Sequence, residues 1–227
     1  KNTSELKVKR VAVCFYGQLR GVKLLENHFT KWLSKEYEFD FFMSTWKTSY
    51  NVNFPFTDSE YLEEFDLKHF MGNNRVAKAC YLINKVVRLK ESYELQNKFS
   101  YDLVILTRTD ISQDFENLCS VLNDVYDITK QVDKPVVSLS SSLRPSKAIN
   151  ENVVDLPNDF TFIYNQDGAN LHANLYNLIF LQNKNGDYSG LKSNNGHYIH
   201  SFLYCHYNFL MLTNPLEELS RHDGSLL

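Results

Sequence analysis

The stretch 101–110, YDLVILTRTD, constrains the fold more than any other part of the sequence. Residues 103–106 form a short run that contains Val and Ile and is apolar at every position, which predicts an inner strand of a parallel sheet covered by helices. The polar residues that follow would stand at the carboxyl end of this strand, the edge at which open α/β sheets bind their ligands. The chain is therefore predicted to be an α/β protein with a mainly parallel central sheet flanked by helices.

Arg108 and Asp110 follow this strand and carry opposite charges. Arg108 presents a planar fork of donors that matches phosphate oxygens, and Asp110 offers hard oxygen atoms that suit Mg²⁺ or Mn²⁺. Because the two residues are two positions apart on an extended strand end, their side chains are expected on the same side, as a phosphate clamp beside a metal ligand. The spacing fits equally a strand cap in which Arg108 and Asp110 pair with each other or with a helix end.

Length and composition limit the classes of protein. The chain has 227 residues without a clean division, so we expect one domain over residues 1–227, with residues 1–9 as a flexible N-terminal extension. The net charge is −3 and the Lys and Arg residues are scattered, which argues against a nucleic-acid partner. The four cysteines lack Cys-x-x-Cys spacing, and no apolar run approaches the roughly 20 residues that span a bilayer. We therefore expect reduced thiols, no membrane span and a cytoplasmic location.

A strand, a tight turn and a helix are predicted in succession near the start of the chain. The strand covers residues 10–16, the turn is GQLRG, and a helical pattern begins at Val22. Such a turn lets backbone N–H groups approach a phosphate, and the N-terminus of the following helix favours anionic groups. Arg20 adds a cation to this turn. Turns bounded by glycine also occur as purely structural features.

The remaining segments complete the predicted sheet and its helices. Strands are predicted at residues 37–46, 135–139 and 159–164, and helices at residues 76–97, 115–125, 169–180 and 201–212, with a short helical piece near 60–65. Trp46 ends a strand and can either stack on a base or pack in the core. Asp167 lies in a turn that follows the strand at 159–164.

Four motifs resemble, in sequence and in order, a series found in a known family. They are VAVCFYGQLRG, FDFFMSTW, YDLVILTRTD and DFTFIYNQDGANL. Together they resemble bacterial and viral glycosyltransferases of the nucleotide-sugar type, above all the lipopolysaccharide-synthesis families that carry Arg-x-Asp in place of Asp-x-Asp. The resemblance covers most of the chain. It implies a single Rossmann-like GT-A domain and an enzyme of polysaccharide biosynthesis that moves a sugar from a nucleotide-diphosphate sugar donor to a saccharide or glycoconjugate acceptor.

The resemblance also implies roles for individual residues. The nucleotide and its diphosphate would be bound by Tyr16, Gly17, Gln18, Arg20 and Arg108, and Asp110 would hold the Mn²⁺ or Mg²⁺ ion that bridges the diphosphate. Such an ion neutralises the charge of the leaving nucleoside diphosphate. Since Arg108 replaces the first Asp of the motif, its own positive charge can make the metal weak or dispensable.

The acceptor side departs from the family pattern. The resembled families tend to have a Glu near a Pro at the start of the late helix, where this sequence has His197 and His200. A histidine near its usual pKa can deprotonate an acceptor hydroxyl, so we expect His200, or else His197, to act as the catalytic base. Asp159 and Asp167 are the carboxylate alternatives, and Asp167, in a turn after a strand, is the better placed of the two. The histidines can instead bind the acceptor, or bond only to the backbone or solvent.

Two other functional classes fit parts of the pattern. A non-catalytic nucleotide- or carbohydrate-binding module of the same fold would explain the missing first Asp. A nucleotidyltransferase would share the α/β architecture, but the sequence lacks the glycine-rich, Lys-bearing opening of those enzymes. Donor-dependent hydrolysis separates the first alternative from a transferase, and release of pyrophosphate would indicate the second.

Overall fold

The computed structural model describes residues 9–20, 36–48, 52–64, 74–113, 115–140, 144–145, 155–156, 161–184, 203–204, 206–214 and 218–221. The strands are β1 (Lys9–Gly17), β2 (Tyr37–Trp46), β3 (Asp58–Leu62), β4 (Leu103–Thr107), β5 (Ile111–Gln113), β6 (Val136–Ser140), β7 (Arg144–Pro145), β8 (Asp155–Leu156), β9 (Thr161–Tyr164), β10 (Leu210–Asn214) and β11 (Glu218–Arg221). The helices are α1 (Asn74–Asn97), α2 (Phe115–Thr129) and α3 (Gln166–Lys184). The helix predicted from Val22 lies outside the described residues.

Seven strands form one sheet in the order β10-β6-β9-β4-β1-β2-β3. Strand β9 runs antiparallel to its neighbours β4 and β6, whereas β1, β2, β3 and β4 pair in parallel, as do β6 and β10. Every residue of β4 is buried, as expected for an inner strand covered on both faces. The predicted α/β class and mainly parallel sheet are therefore confirmed. The small pairs β5 with β11 and β7 with β8 lie outside this sheet.

Helices cover both faces of the sheet because alternate residues of each strand point to opposite sides. Ala12 and Cys14 of β1 belong to one buried cluster with residues of α1 and α3. Val11 and Val13 belong to a second buried cluster with residues of α2. The apolar residues of β1 thus face two separate helical layers, which explains why its sequence shows no polar alternation.

The apolar spacing of α2 shows why this segment is a helix. Leu118, Val121, Leu122 and Val125 recur three and four positions apart and are all buried, so they form one stripe against the sheet. Burial of side chains of this size contributes about 1.5–3 kcal/mol each relative to exposure. Packing of this stripe, more than intrinsic propensity, holds the helix in place.

Two of the predicted helical segments are wrong in part. The sequence predicts a short helical piece near residues 60–65, but residues 58–62 form the edge strand β3. Ser44 Oγ in β2 donates a hydrogen bond of 2.9 Å to Glu60 Oε1 in this strand. The helix predicted at 201–212 ends early, because Asn208 has a φ of 53° and residues 210–214 form β10. A left-handed residue ends a helical turn, and the chain then pairs with β6.

The predicted N-terminal extension is one residue too long. Lys9 is the first residue of β1, and its Nζ donates a hydrogen bond of 2.6 Å to Asn123 Oδ1 in α2. The same ammonium group lies 4.5 Å from the ring centroid of Tyr126. These contacts tie the beginning of the first strand to the helix beneath it.

Candidate functional site

The strand order of the sheet reverses at β1, and this reversal locates the candidate site. From β1 the chain adds β2 and then β3 on one side, and it then crosses back to place β4 on the other side of β1. Ligands of open α/β sheets bind in the crevice outside the carboxyl ends of the two strands that flank such a switch point. The residues that follow β1 and β4 therefore form the candidate site.

The turn after β1 and the turn after β4 are joined by one side chain. Thr109 Oγ1 accepts a hydrogen bond of 3.3 Å from the backbone N–H of Arg20 and donates one of 3.3 Å to the backbone carbonyl of Gln18. Thr109 is 5% exposed, so water has little access to these hydrogen bonds. The structure thus brings together the two sequence motifs that were predicted to bind phosphate.

Gly17 ends β1 with a φ of 108°, a conformation that residues with a Cβ rarely adopt. Thr45 Oγ1, one residue before the end of β2, donates a hydrogen bond of 2.8 Å to the Gly17 carbonyl oxygen. The turn that follows Gly17 is therefore held from the β2 side as well as from the β4 side. Held in this way, its backbone N–H groups keep a defined position beside the strand ends, as an anion site requires.

Arg108 and Asp110 form a two-point ion pair. The Arg108 guanidinium donates from Nε to Asp110 Oδ1 at 2.9 Å and from Nη2 to Asp110 Oδ2 at 2.6 Å. The Asp110 side chain is 1% exposed and that of Arg108 is 24% exposed. This is the pairing that the strand-cap interpretation requires. It also leaves the Arg108 side chain partly exposed at this edge of the sheet.

Asp110 can bind a divalent cation only if the ion displaces Arg108 from its carboxylate oxygens. Its oxygens are hard ligands, and Mg²⁺ is commonly held by one or two carboxylates together with substrate phosphates. Both oxygens of Asp110 accept bonds from Arg108, so an ion has to compete with the guanidinium for them. Among the residues that the structure describes, no group of three or more His, Cys, Asp and Glu side chains is arranged to hold a metal.

The other residues predicted to bind the nucleotide lie in two environments. Arg20 is half-buried and its Nη2 donates a hydrogen bond of 2.5 Å to Gln18 Oε1, on an exposed residue. Tyr16 is 5% exposed and packs in the cluster that faces α1 and α3. Arg20 and Gln18 are therefore placed to meet a ligand directly, whereas the position of Tyr16 supports the strand end from within the core.

Trp46 is a core residue. It is 7% exposed, and its ring lies parallel to that of Tyr81 in α1, with the centroids 5.9 Å apart. The ring of Tyr176 in α3 meets Tyr81 edge-on at 5.1 Å. Of the two interpretations of Trp46, packing between strand and helix agrees with the structure.

The structure does not bring Asp167 to the crevice. Because β9 is antiparallel to β4, its carboxyl end lies at the opposite edge of the sheet, and Asp167 is exposed there in the first turn of α3. Tyr164 at the end of β9 lies opposite Val104, whereas Thr107 at the end of β4 lies opposite Thr161. The carboxyl ends of the two strands are therefore three residues apart along the sheet, which corresponds to roughly 10 Å. Asp167 and Asp110 are therefore too far apart to bind the same ion or the same phosphate group.

Asp167 instead lines a cleft of about 800 Å³ at the amino edge of the parallel strands. The charged groups of this cleft pair mainly with one another. Arg10 Nε contacts Glu38 Oε2 at 3.1 Å, and the Arg10 backbone N–H donates to Asp102 Oδ2 at 2.9 Å. We place the candidate site at the carboxyl edge, where the phosphate-matched groups and the switch point coincide.

A chain of buried polar groups anchors the segment that follows His200 in the sequence. The Tyr164 hydroxyl lies 2.7 Å from His172 Nδ1 and 3.0 Å from the Tyr204 hydroxyl, and all three side chains are at most 1% exposed. Burial raises the pKa of Tyr164 well above its usual value. His197 and His200 themselves lie outside the described residues.

Two features of this region were missed in the sequence. Thr109, which joins the turns, stands between the two charged residues that drew attention to the motif. Strand β11 pairs antiparallel with β5, so that Arg221 lies opposite Ile111, the residue after Asp110. The polar character of the tail was the available signal for the second feature.

A scan against models of protein families finds no family that matches this chain, and a search of curated proteins finds no similar sequence. Within the part of the chain that the structure describes, no helix combines the length and the apolar character needed to cross a membrane.

Proposed function

We propose that this protein is a glycosyltransferase that moves a sugar from a nucleotide-diphosphate sugar donor to a saccharide or glycoconjugate acceptor. The observation that carries the proposal is the hydrogen bonding of Thr109 to both Gln18 and Arg20, which unites a glycine-bounded turn with the Arg-x-Asp motif at the switch point of the sheet. Crevices at such points bind nucleotides in other α/β proteins. The mainly parallel order of the sheet also supports a Rossmann-like GT-A fold.

In the proposed reaction the acceptor oxygen forms a bond to the anomeric carbon, and the bond from that carbon to the diphosphate breaks. The negative charge that develops on the leaving diphosphate needs positive groups positioned in advance. Arg20 and Arg108 supply such groups on the chain itself, and Gly17 and Gln18 belong to the turn beside them. The acceptor proton passes to His200, or else to His197.

Asp110 is the proposed ligand of a Mn²⁺ or Mg²⁺ ion. Bound there, the ion would neutralise part of the charge on the diphosphate. The chain's own contribution is to present one buried carboxylate beside a guanidinium group, so that the phosphate and the ion are recognised side by side.

One observation favours a second candidate, a nucleotide- or carbohydrate-binding module without turnover. Arg108 and Asp110 satisfy each other in the structure, and a pair of this kind can serve as a strand cap with no chemistry. Binding of a nucleotide sugar without release of nucleoside diphosphate would favour this candidate over the transferase.

The deciding experiment is a thermal-shift screen of nucleotide-diphosphate sugars with and without Mn²⁺, followed by measurement of donor hydrolysis with the sugar that binds. A bound ligand raises the melting temperature by mass action. Arg20→Ala should lose the shift, while Arg88→Ala, which removes an exposed guanidinium that bonds Glu91 in α1 and Asn174 in α3, should keep it. Absence of any shift across donors would overturn the proposal.

A cytoplasmic location is part of the proposal. Cys14 and Cys80 are buried free thiols, and burial raises the pKa of each to about 12. Thiols with so high a pKa resist oxidation, since the thiolate is the reactive form. They behave as small core residues, and the proposed reducing compartment rests on the lack of Cys-x-x-Cys spacing among the four cysteines.

A further inference from the structure

The cleft at the amino edge of the sheet has the size of a site for a small organic ligand. Its volume is about 800 Å³, within the range of about 300–1,000 Å³ that is usual for such sites. Tyr101 and Asp102 line the cleft before β4 begins, whereas Arg108 and Asp110 follow the end of β4. Five residues of an extended strand span roughly 15 Å. The cleft is therefore distinct from the crevice that we assign to the nucleotide.

Arg10 is held in place on one side of this cleft. Its Nε donates a hydrogen bond of 3.1 Å to Glu38 Oε2, and its guanidinium carbon lies 4.3 Å from the centroid of the Phe99 ring. Among the residues that the structure describes, Nε is the only side-chain donor of Arg10 with a hydrogen-bond acceptor. The Nη1 and Nη2 groups thus face a ligand as a planar fork that is already positioned.

The rest of the lining adds both donors and acceptors. The Lys130 side chain is 58% exposed, and its Nζ lies 3.8 Å from Asp102 Oδ1, which is too far for a hydrogen bond. Asp167 is exposed in the first turn of α3, and Ser100 adds an exposed hydroxyl. One ligand in this cleft therefore meets ammonium, guanidinium, hydroxyl and carboxylate groups together.

This mixture of charges selects against ionic ligands. An anion attracted by Arg10 and Lys130 also meets carboxylates, and a cation attracted by Glu38 and Asp167 also meets these two cations, so attraction and repulsion offset each other. A hydroxyl group accepts from guanidinium or ammonium and donates to carboxylate. Hydrogen bonds to charged partners are stronger than those between neutral groups. Neutral saccharides carry neighbouring hydroxyls on every ring and fit this lining.

Apolar side chains adjoin the polar lining. Phe99 and Ser100 also line a neighbouring depression of about 620 Å³, together with Leu95, which is 80% exposed. Sugar rings have faces made of C–H groups, and covering apolar side chains with such faces removes apolar surface from water. Two adjoining concavities suit a chain of sugar units better than a single sugar.

We propose that the amino-edge cleft binds a neutral oligosaccharide. The side chains that would contact it directly are those of Arg10, Phe99, Ser100, Lys130 and Asp167. The inference rests on the proposed function only for the use of this site. A polymeric acceptor held here by its distant part would stay near the protein between transfers, which raises its effective concentration at the carboxyl edge. The cleft therefore affects affinity for long acceptors, and single-turnover transfer to a saturating acceptor does not depend on it.

The test probes an array of neutral and anionic oligosaccharides with the wild-type protein, without nucleotide or metal ion, and then titrates the strongest neutral binder calorimetrically. Arg10→Met keeps an unbranched stem beside Phe99 but removes the fork, and it should weaken binding about tenfold or more. Lys130→Met should weaken binding by a smaller factor. Lys47→Met is the matched control, because Lys47 is an exposed lysine that pairs with Glu63 after the end of β2, and it should bind as the wild type does.

Two further readouts separate a saccharide site from its alternatives. Because Lys130 is largely exposed, its replacement should leave the melting temperature unchanged, so Lys130→Met reports on the cleft even if Arg10→Met is destabilised. Added salt should change the affinity by less than about twofold, since screening acts between charges and the ligand is neutral. Binding of anionic oligosaccharides alone, binding of none, or unchanged affinity in both variants would overturn the inference.

The outcome is separable from that of the proposed function. Oligosaccharide binding that Arg10→Met weakens, in a protein that binds no nucleotide sugar, supports the cleft as a saccharide site and overturns the proposed function. Binding of a nucleotide sugar, with no neutral oligosaccharide bound on the array, supports the proposed function and overturns the inference.

Discussion

The Thr109 hydroxyl donates a hydrogen bond of 3.3 Å to the backbone carbonyl of Gln18, a residue 91 positions earlier in the chain. The same hydroxyl accepts the backbone N–H of Arg20. One buried side chain thus satisfies two backbone groups of a turn that has no strand partner of its own. The position of Arg20 relative to Arg108 depends on this contact.

Thr109→Val should therefore weaken both the fold and the site. Valine has nearly the same shape but leaves the Gln18 carbonyl and the Arg20 N–H without this partner, at a cost of about 1–3 kcal/mol in the free energy of unfolding. Thr109→Ser retains the hydroxyl and should recover most of the loss. Urea denaturation measures the stability, and titration with nucleoside diphosphates measures the site. Unchanged values in Thr109→Val would show that the turn is held by other contacts.

Arg20→Ala should weaken binding of a nucleoside diphosphate by about 1.5–3 kcal/mol, the usual contribution of a hydrogen bond to a charged group. In the part of the chain that the structure describes, the Arg20 guanidinium donates to the neutral side chain of Gln18, and a phosphate can replace that acceptor. Calorimetric titration with nucleoside diphosphate and with nucleoside alone makes the comparison. Equal losses for the two ligands would mean that Arg20 does not contact phosphate.

Asp110→Asn should preserve the fold and abolish the effect of Mn²⁺ on donor binding. Asparagine has the same shape and keeps one acceptor for Arg108, whose side chain also reaches solvent, but it loses the charge that a divalent cation requires. Donor affinity is measured with Mn²⁺ and with a chelator. A folded variant that still responds to Mn²⁺ would place the metal ligand elsewhere in the chain.

The strands that carry the site were predictable from local sequence. Residues 103–106 and 11–16 are apolar at successive positions, a pattern that fits a strand covered on both faces and fits a half-exposed strand poorly. The charged residues after such a strand must lie at an edge of the sheet. This reasoning located Arg108 and Asp110, and it located the turn that contains Arg20.

The direction of β9 was not predictable in the same way. All residues of β9 are buried, and a strand buried on both faces has the same apolar pattern whichever way it runs. Asp167 was therefore expected at the carboxyl edge but lies at the amino edge. The partner of Thr109 was equally hidden, because a hydrogen bond across 91 positions leaves no periodic signal in the sequence.

The fully buried Lys90 provides a test of the core. Its Nζ donates to Glu94 Oε2 at 2.8 Å and to Gln166 Oε1 at 2.5 Å, which links α1 to the start of α3. Glu94 also accepts the backbone N–H of Tyr101 before β4 at 2.8 Å. Loss of one partner from a buried ion pair leaves the other charge uncompensated.

Lys90→Ala should accordingly lower the free energy of unfolding by about 3–5 kcal/mol. Lys85→Ala is the matched control on the same helix, since the Lys85 ammonium lies 5.4 Å from the ring centroid of Tyr81 and is not fully buried. Its loss should cost about 1 kcal/mol or less. Urea denaturation of both variants decides the matter. Similar small effects would show that Glu94 is compensated by its remaining donors.

The last prediction concerns the base that accepts the proton of the acceptor hydroxyl. If His200 is that base, transfer should fall as the pH drops through the imidazole pKa near 6.5, because a protonated ring cannot accept a proton. Above that pKa the neutral ring is present and transfer should reach a plateau. Donor binding should be largely unaffected, because the proposed phosphate contacts do not involve an imidazole.

His200→Gln keeps a polar side chain of similar reach and removes the titration, so single-turnover transfer should fall by about 10²–10⁴-fold. His197→Gln tests the other member of the pair. Asp167→Asn is the control, because Asp167 lies at the amino edge of the sheet and its change should leave transfer and the pH profile intact. Near-normal transfer with an unaltered pH profile in both histidine variants would exclude the pair as the base. A large loss in Asp167→Asn alone would instead require a site at the amino edge, where Asp167 lines the cleft.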